Sequence, residues 1–301
     1  MIETVEVRPK GATALILPLS NPWMTGLAVT GIDGIGPVDA TVFTTNYGAR
    51  PGGFVNGHRV GMRNIMLKLE VTGMSPESIR QNAYRVMANG QEVTFVIHTD
   101  SRSYSTKGVV ESFEPDIFSN RETFNVSIIC PDPFFREFGT ASMIISDFAT
   151  SLKAFEFPWS NNIYERELEF SIAVEQGTTG ARGIVSYPGS VTTGCRMVVN
   201  FTANPGRYVT LQNENFGGNI AFENVNDRFT AGGRLEFSTE IGNRYARYIG
   251  TDNSVYDMTW TLWNYGDWPM LHPGDNVFVF ATTNFGAATI NFEYEVLYIG
   301  V

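Results

Sequence analysis

The sequence has little of the chemistry from which metal sites and disulfide frameworks are built. Its 301 residues include only two cysteines and three histidines. Two cysteines are too few for a disulfide framework, and we expect Cys130 and Cys195 to be reduced core residues. His58, His98 and His272 show no metal-ligand spacing, so the sequence predicts no metal site and no cofactor.

Charged residues are also sparse, at 17% of the chain, and acidic residues outnumber basic ones, for a net charge of −10. Residues 1–139 contain 14 acidic and 12 basic residues, whereas residues 140–301 contain 17 and 9. An acidic second half repels phosphate backbones. We therefore expect no sequence-specific binding of nucleic acid.

Long hydrophobic runs are missing as well. No stretch reaches the roughly 18 apolar residues of a transmembrane helix, so no membrane insertion is predicted. The most apolar segment near the start, residues 12–20, is broken by Pro18 and lacks a convincing signal-peptide cleavage site. We expect the protein to be made and folded in a cytoplasm, without export by a signal peptide.

What the sequence does contain is alternation of apolar and polar residues, the signature of strands with one buried face. The clearest case is Glu122–Phe135, where one face carries Phe124, Val126, Ile128 and Cys130. Pro131 and Pro133 then end the strand, because neither can donate to a ladder. With 30 glycines to supply turns, the composition predicts a mainly β protein.

The length allows two domains. We place the first at residues 1–139 and the second at 140–301, with a linker at about 136–162. The first should contain one helix, which begins after Ser75 as a side-chain cap and ends at Gly90. Its strands are predicted at Leu27–Ile32, Val38–Thr45, Arg63–Gly73, Val93–Asp100 and Tyr104–Glu114.

The second domain shows the strand spacing of a β-sandwich and no helix. A strand at Glu167–Glu175 should be followed by a loop at Gln176–Gly183. The further strands are predicted at Cys195–Ala203, Arg207–Gln212, Asn219–Glu223, Arg234–Thr239, Val255–Trp263, Asn276–Thr283 and Thr289–Ile299.

A long glycine-rich segment, Asn46–Gly61, separates two strands of the first domain. A loop of this length is usually functional or a protruding hairpin. A phosphate-binding loop is disfavoured, because the segment lacks the Gly-Lys-Ser/Thr ending and no helix follows it. An extended hairpin that reaches a partner subunit is the better interpretation. The candidate interface residues are Tyr47, Phe54, Val55, His58 and Arg59.

Paired carboxylates invite a glycosidase interpretation. Glu165, Glu167 and Glu169 lie two apart, as do Glu293 and Glu295. The same spacing is typical of the solvent face of a strand. The residues that alternate with the second pair form its predicted buried face: Phe292, Tyr294, Val296 and Tyr298. The sequence therefore predicts no catalytic residues and no enzymatic activity.

An aromatic cluster near the end of the chain could bind a ligand. It comprises Trp260, Trp263, Tyr265 and Trp268. Trp260 shares a predicted strand face with apolar residues, which indicates a core position. Trp263 and Trp268 are candidates for a platform on which sugar rings stack.

Several segments also share motifs with one protein family. In the first half these are GIDGIG at Gly31–Gly36, RVGMRNIMLKL after the glycine-rich loop, the strand–helix unit from Ile65 to Met87, GVVESFEPDIFS at Gly108–Ser119 and VSIICPDPFF at Val126–Phe135. In the second half they are DWPMLHPGDNVFVF at Asp267–Phe280 and YEVLYIGV at Tyr294–Val301. On these motifs the chain resembles, over essentially its full length, the distal tail protein (Dit) family of tailed phages that infect Gram-positive bacteria.

The resemblance implies a structural protein of the virion, at the distal end of the tail and assembled in the host cytoplasm. It implies a β-sandwich-like first domain with one α-helix that forms a ring of six copies, and a galectin-like β-sandwich as the second. The segment Asn46–Arg59 would pack on a neighbouring copy. The implied partners are the major tail tube protein, a tail-associated hub protein of the tip or fibre, and receptor-binding or baseplate proteins.

Two other functions stay open at this point. The first is a carbohydrate-binding module that contacts the host cell wall through Trp263 and Trp268. The second is a tail-associated hydrolase, which activity on host peptidoglycan would reveal.

Overall fold

The computed structural model describes residues 1–119, 121–139, 144–149, 180–259, 262–263, 268–284 and 288–301. They fall into two compact units: unit 1 is Met1–Ser142 with Val296–Val301, and unit 2 is Met143–Glu295. The described elements of unit 1 are β1 (Ile2–Pro9), β2 (Leu15–Pro18), a 3-10 turn (Pro22–Met24), β3 (Leu27–Asp33), β4 (Ala40–Asn46), β5 (Gly53–Val60), β6 (Arg63–Val71), α1 (Pro76–Val86), β7 (Glu92–Thr99), β8 (Ser103–Asp116), β9 (Thr123–Cys130) and β10 (Phe135–Glu137).

The main sheet of unit 1 is antiparallel, in the order β2-β1-β7-β8-β9-β6-β3. The predicted alternation in β9 is confirmed, because Phe124, Val126, Ile128 and Cys130 are all fully buried. Helix α1 lies against β1 and β6 and buries Ala83 and Val86. The core of unit 1 therefore lies between the apolar face of the sheet and this helix.

The predicted helix is confirmed, but its predicted cap is not. Ser75 occupies the N-cap position and makes no side-chain capping bond. Instead, the Ser78 hydroxyl donates to the Ser75 carbonyl oxygen at 2.9 Å. Pro76 at the first helical position and Glu77 in the first turn still favour this start, since neither needs the cap.

Unit 2 consists of two antiparallel sheets. Its described elements are β11 (Ile144–Ala149), β12 (Gly180–Tyr187), β13 (Arg196–Phe201), β14 (Tyr208–Asn213), β15 (Asn219–Glu223), a 3-10 turn (Val225–Asp227), β16 (Arg234–Ser238), β17 (Tyr245–Ile249), β18 (Val255–Asp257), β19 (Leu262–Trp263), β20 (Gly274–Thr282) and β21 (Ala288–Tyr294). One sheet has the order β11-β21-β13-β16-β17-β18 and the other β12-β20-β14-β15-β19.

Aromatic side chains join the two sheets of unit 2. The rings of Phe278 and Phe292 lie 4.7 Å apart, and those of Phe222 and Phe237 lie 5.1 Å apart. All four are at most 2% exposed. The sheets therefore pack face to face around a shared core, and the predicted mainly β fold with a sandwich in the second half is confirmed.

The last six residues do not end unit 2, where the sequence analysis placed them. Strand β22 (Leu297–Tyr298) pairs with β10 through Phe135–Tyr298 and Arg136–Leu297, both within unit 1. The predicted single strand Thr289–Ile299 is therefore wrong. Alternating burial continues from Phe292 to Tyr298 across the break, so the pattern gave no sign of it.

Two other predicted elements in the second half are also wrong. Val255–Trp263 is two strands in different sheets, because the Asp257 carboxylate accepts from the Thr259 amide at 2.8 Å and turns the chain. The predicted loop Gln176–Gly183 contains the start of β12, whose residues Gly180–Gly183 pair with β20. The predicted strand Glu167–Glu175 and the cluster Glu165, Glu167 and Glu169 lie outside the described residues.

The two cysteines are free and buried, as predicted. Burial raises the pKa of the Cys195 thiol to about 12 and also raises that of Cys130. Both thiols are therefore protonated and unreactive at neutral pH. Within the described residues, no helix is long and apolar enough to cross a membrane.

Candidate subunit-interface site

The segment predicted as an extended hairpin, Asn46–Gly61, forms the turn and second strand of a hairpin whose first strand is β4, and this hairpin has no core of its own. Strands β4 and β5 form a separate two-stranded sheet, in register from Ala40–Val60 to Asn46–Gly53. None of its residues is buried, and only Gly57 in β5 is partly covered. A hairpin alone is at best marginally stable in water. Both faces of the hairpin are therefore open at the surface of unit 1.

The pairing register assigns the candidate residues to opposite faces of the hairpin. Phe54 lies across from Thr45, and Arg59 lies across from Thr41, so both share the face of Phe43. The Tyr47 ring adds to this face, 5.9 Å from that of Phe54. We call Phe43, Tyr47, Phe54 and Arg59 the aromatic face.

The other two candidates lie on the second face. Val55 pairs with Thr44 and His58 pairs with Val42, which are on the side opposite the aromatic face. A register shift between Phe43 and Thr44 separates these pairs and twists the ribbon there. Val42 and Phe43 on the neighbouring strand were not predicted as interface residues, although both are more than half exposed. The sequence did offer a signal for them, because their segment has strong β propensity but does not alternate between apolar and polar residues.

The base of the hairpin is held by a buried arginine that the sequence analysis did not single out. Arg63 is 1% exposed. Its Nη1 donates to the carbonyl oxygens of Gly34 and of Gly36, the latter at 2.7 Å, and its Nε donates to that of Pro133 at 2.8 Å. Its Nη2 donates to the Ile299 carbonyl oxygen at 2.6 Å.

The environment of this guanidinium is unusual, because its partners are carbonyl dipoles. Within the described residues no carboxylate forms an ion pair with Arg63, and Asp132 pairs instead with Arg136 at 2.7 Å. The Phe135 ring lies 4.3 Å from the guanidinium carbon. Desolvation lowers the pKa of Arg63. Such a charge is costly to bury and is retained only with full hydrogen bonding.

The connector between β3 and the hairpin is fixed from two sides. Gly34 has φ +82°, and a Cβ there would lie 1.9 Å from the Asn64 carbonyl oxygen, so only glycine fits. On the other side, the Val301 amide donates to the Ile35 carbonyl oxygen at 3.0 Å. Arg63 and the terminal segment Val296–Val301 therefore fix the point at which the hairpin extends from the main sheet of unit 1.

Of the two aromatic candidates in unit 2, the structure describes the side chain of only one. Trp263 lies in β19 opposite Ala221, and its side chain is outside the described residues. Trp268 is half-buried, with the Arg244 guanidinium carbon 5.5 Å from its ring centre.

The carboxylate pair at the end of the chain behaves as a strand surface. Glu293 forms an ion pair with Arg196 at 3.0 Å, while the alternating residues Phe292, Tyr294, Val296 and Tyr298 are buried. In the described ranges, no three His, Cys, Asp or Glu side chains are grouped so that they could hold a metal ion.

Comparison with known proteins identifies the fold. No protein-family model and no curated protein matches the sequence. The solved structure of the phage SPP1 Dit protein, described as a paradigm of the hub adsorption apparatus in phages that infect Gram-positive bacteria, matches with a TM-score of 0.58 at 12% identity. The match covers 96% of this chain and 98% of that one.

The phage P2 baseplate, in its activated conformation with Ca, also matches over 98% of this chain, at 10% identity and a TM-score of 0.39. The SPP1 match shows the fold. This chain is a two-unit, mainly β protein. More particularly, it has a Dit-like fold, as the sequence motifs indicated.

Proposed function

We propose that this protein is a structural component of a phage tail tip or baseplate, in which six copies form a hub ring. The observation that carries the proposal is the Dit-like fold, which extends over 96% of the chain. Unit 1 would be the ring-forming domain and unit 2 the domain that carries other proteins. The ring would join the major tail tube protein to a tail-associated hub protein of the tip or fibre and to receptor-binding or baseplate proteins.

The mechanism of such a hub is geometric. A ring of identical copies uses a head-to-tail contact, in which each copy contributes two different surfaces. The hairpin, with Tyr47, Phe54, Val55, His58 and Arg59, is one of them. Its exposed aromatic and aliphatic residues and its lack of a core support this role. A stable contact needs about 1,000 Å² or more of buried surface, which a hairpin with two exposed faces can supply.

The proposed role includes no catalysis and no cofactor. Phage assembly would place the protein in the virion, at the distal end of the tail, after folding in the host cytoplasm. The contact between copies in the ring would depend on shape and on apolar side chains, since these are the features of the hairpin. Several charged residues of the described part of unit 2 form ion pairs across its strands, such as Arg196 with Glu293 and Arg207 with Glu223.

The alternative is a carbohydrate-binding module. The observation that favours it is the half-buried Trp268 indole with a guanidinium at 5.5 Å, an arrangement that leaves part of an aromatic ring open. Binding of host wall glycans that is lost in Trp268→Ala would support this function. Retention of hexamers in the same variant would show that the two roles are separable.

The proposal is tested by measuring mass in solution with light scattering for three proteins. The native chain should have six times the mass of one chain. Phe54→Glu, which puts a charge on the aromatic face, should have the mass of one chain. Phe118→Glu is the matched control, because Phe118 is 95% exposed in unit 1 outside the hairpin. A native chain that stays single would overturn the proposal, as would rings of Phe54→Glu as stable as those of the control.

A further inference from the structure

A second exposed apolar surface lies at the other end of the strand from which the hairpin extends. It comprises Ile16 in β2 and three residues between β2 and β3, namely Leu19, Trp23 and Met24, and we call these four the Trp23 patch. They are 49%, 38%, 73% and 76% exposed. Exposed apolar residues that are grouped on a surface mark an interaction site, whereas singly scattered ones are normal.

The backbone under the Trp23 patch is well fixed. The 3-10 turn lies against β2 and β3, and the Gly26 amide closes it by donating to the Pro22 carbonyl oxygen at 2.9 Å. Gly26 has φ +75°, and a Cβ there would lie 2.4 Å from Cδ1 of Ile79 in α1. The turn is therefore pressed against the helix, and Trp23 is held outward by a rigid base.

The Trp23 patch and the hairpin are separated by the length of β3. The turn precedes Leu27, the first residue of β3, and the hairpin connector follows Asp33, the last. Seven extended residues span about 20 Å. Trp23 and Phe54 are both largely exposed, so the hairpin of a chain does not cover the patch of the same chain. One chain thus presents two different apolar surfaces at two places, as a head-to-tail contact requires.

The charges of the two surfaces are compatible. Residues 12–26 contain no charged side chain, and residues 40–60 contain Arg50 and Arg59 but no acidic residue. Exposed Glu3 borders the patch, because its carbonyl oxygen accepts from the Leu19 amide at 2.9 Å. Arg59 lies on the aromatic face of the hairpin. Arg59 on the hairpin and Glu3 beside the patch carry opposite charges, so a contact that brings them together would favour one orientation.

The contact would be made by side chains. Although β2 is the edge of its sheet, Pro18 has no amide hydrogen to donate, which protects this edge from strand addition. Indole and phenyl rings form favourable edge-to-face or offset pairs, and interface hot spots are enriched in Trp, Tyr and Arg. These are the residue types that the patch and the aromatic face offer each other.

We propose that the Trp23 patch of one copy receives the aromatic face of the hairpin of the next copy, and so supplies the acceptor surface of the ring. The proposal rests on the hub function above, since it names the partner of the hairpin. It leaves the aliphatic face of the hairpin, with Val42 and Val55, free for another layer of the assembly.

The test uses two variants that each remove one surface. Trp23→Glu keeps an intact hairpin, and Phe54→Glu keeps an intact patch. Each alone should have the mass of one chain and the circular dichroism spectrum of the native chain, because both positions are exposed. An equimolar mixture should form pairs of one copy of each and nothing larger, since only one complementary contact remains.

Engineered cysteines give an independent readout of the same contact. The native cysteines are both fully buried and do not compete. A chain with Trp23→Cys and Phe54→Cys should form, on oxidation, a ladder of covalently linked copies up to six. The control chain with Phe118→Cys and Phe54→Cys should form none.

The outcomes separate this proposal from the one on which it rests. If native rings form but Trp23→Glu also forms them at the same concentration, the patch is not the acceptor and the hub function stands. If both variants are single chains, but their mixture yields neither pairs nor the covalent ladder, the two surfaces do not contact each other and the proposal is again overturned. If the native chain forms no ring, the hub function itself fails.

Discussion

The Nη2 atom of Arg63 donates to the Ile299 carbonyl oxygen at 2.6 Å, between residues 236 positions apart in the sequence. This bond joins the start of β6, which directly follows the hairpin, to the segment that returns from unit 2. The same guanidinium holds the carbonyl oxygens of Gly36 and Pro133. Three distant parts of the chain thus meet at one buried charge. The hairpin extends from the main sheet of unit 1 beside this charge.

Replacement of Arg63 by methionine should destabilise unit 1 strongly. The side-chain volume is largely kept, but the buried carbonyl groups of Gly36, Pro133 and Ile299 lose their donor. Since hydrogen bonds to charged groups contribute about 1.5–3 kcal/mol each and are not additive, we expect a loss of about 3–5 kcal/mol in the free energy of unfolding. Urea denaturation followed by circular dichroism measures it.

Arg121→Met is the matched control for this change. Arg121 forms an ion pair with Glu70 at 2.9 Å, but its side chain is 78% exposed. An exposed pair of this kind contributes about 0–1 kcal/mol. Equal losses for the two variants would contradict the assignment of Arg63 as the central hydrogen-bond donor of this junction.

Deletion of residues 299–301 should loosen the connector between β3 and the hairpin. The truncation removes the Ile299 acceptor of Arg63 and the Val301 amide that bonds to Ile35. Amide hydrogen exchange measured by mass spectrometry should accelerate in residues 34–46, whereas β9 should keep its protection. Unchanged exchange in residues 34–46 would show that the terminal segment does not support the hairpin base.

A buried asparagine network should be essential for the stability of unit 2. Asn276 is fully buried, and its Nδ2 donates to the carbonyl oxygens of His272 at 2.7 Å and Gly274 at 3.0 Å. Its Oδ1 accepts from the His272 amide at 2.9 Å and from Nδ2 of Asn213 at 3.2 Å. Asn276→Ala leaves these groups unpaired, and we expect a loss of about 2–4 kcal/mol.

Calorimetry checks the Asn276 prediction against Asn243→Ala. The Asn243 side chain is exposed and bonds to Glu240 at 3.0 Å, so its removal should change stability by less than about 0.5 kcal/mol. A melting temperature for Asn276→Ala within error of this control would contradict the role of the network in holding the His272–Asn276 turn.

The stability of unit 2 should depend on pH through Glu236. This nearly buried carboxylate lies 2.7 Å from Nη2 of Arg247 and 2.9 Å from Nε of Arg234. Burial raises the pKa of Glu236, but the hydrogen bonds and charges of these arginines outweigh burial, so its pKa lies below the ordinary value. The stabilisation is therefore fully present above about pH 4.3, the ordinary glutamate value, and is lost as the pH falls through the lower folded pKa.

Comparison with Glu236→Gln isolates this effect. At pH 7 we expect the variant to be less stable by about 2 kcal/mol, because the arginines lose their charged acceptor. The gap should narrow as the pH falls below 4, where the native carboxylate takes up its proton. A gap that stays constant from pH 7 to pH 3 would contradict the depressed pKa.

The sequence predicted those strands and helices that are determined by residues close together in the chain. Phe124, Val126, Ile128 and Cys130 are buried because the period of two and the strand agree, and helix α1 begins at Pro76 because proline suits that position. The pattern failed where alternation continues through a break in pairing. From Phe292 to Tyr298 every second residue is buried, yet the chain passes from unit 2 to unit 1 in between.

The candidate site was predicted in part, for a similar reason. Tyr47, Phe54 and Val55 stand out because apolar residues are unexpected in a glycine-rich segment. Arg63 does not stand out, because its role depends on Ile299, and no local signal connects the two. The division of the hairpin into two faces also depends on the register shift at Phe43, which only the pairing shows.

The central claim, that six copies of this chain close into a ring, is tested most directly by negative-stain electron microscopy of the purified native protein, with its mass measured on the same sample. The account predicts class averages with six-fold rotational symmetry and a mass six times that of one chain. Single particles without a ring, with the mass of one chain at the highest concentration reached, would contradict it.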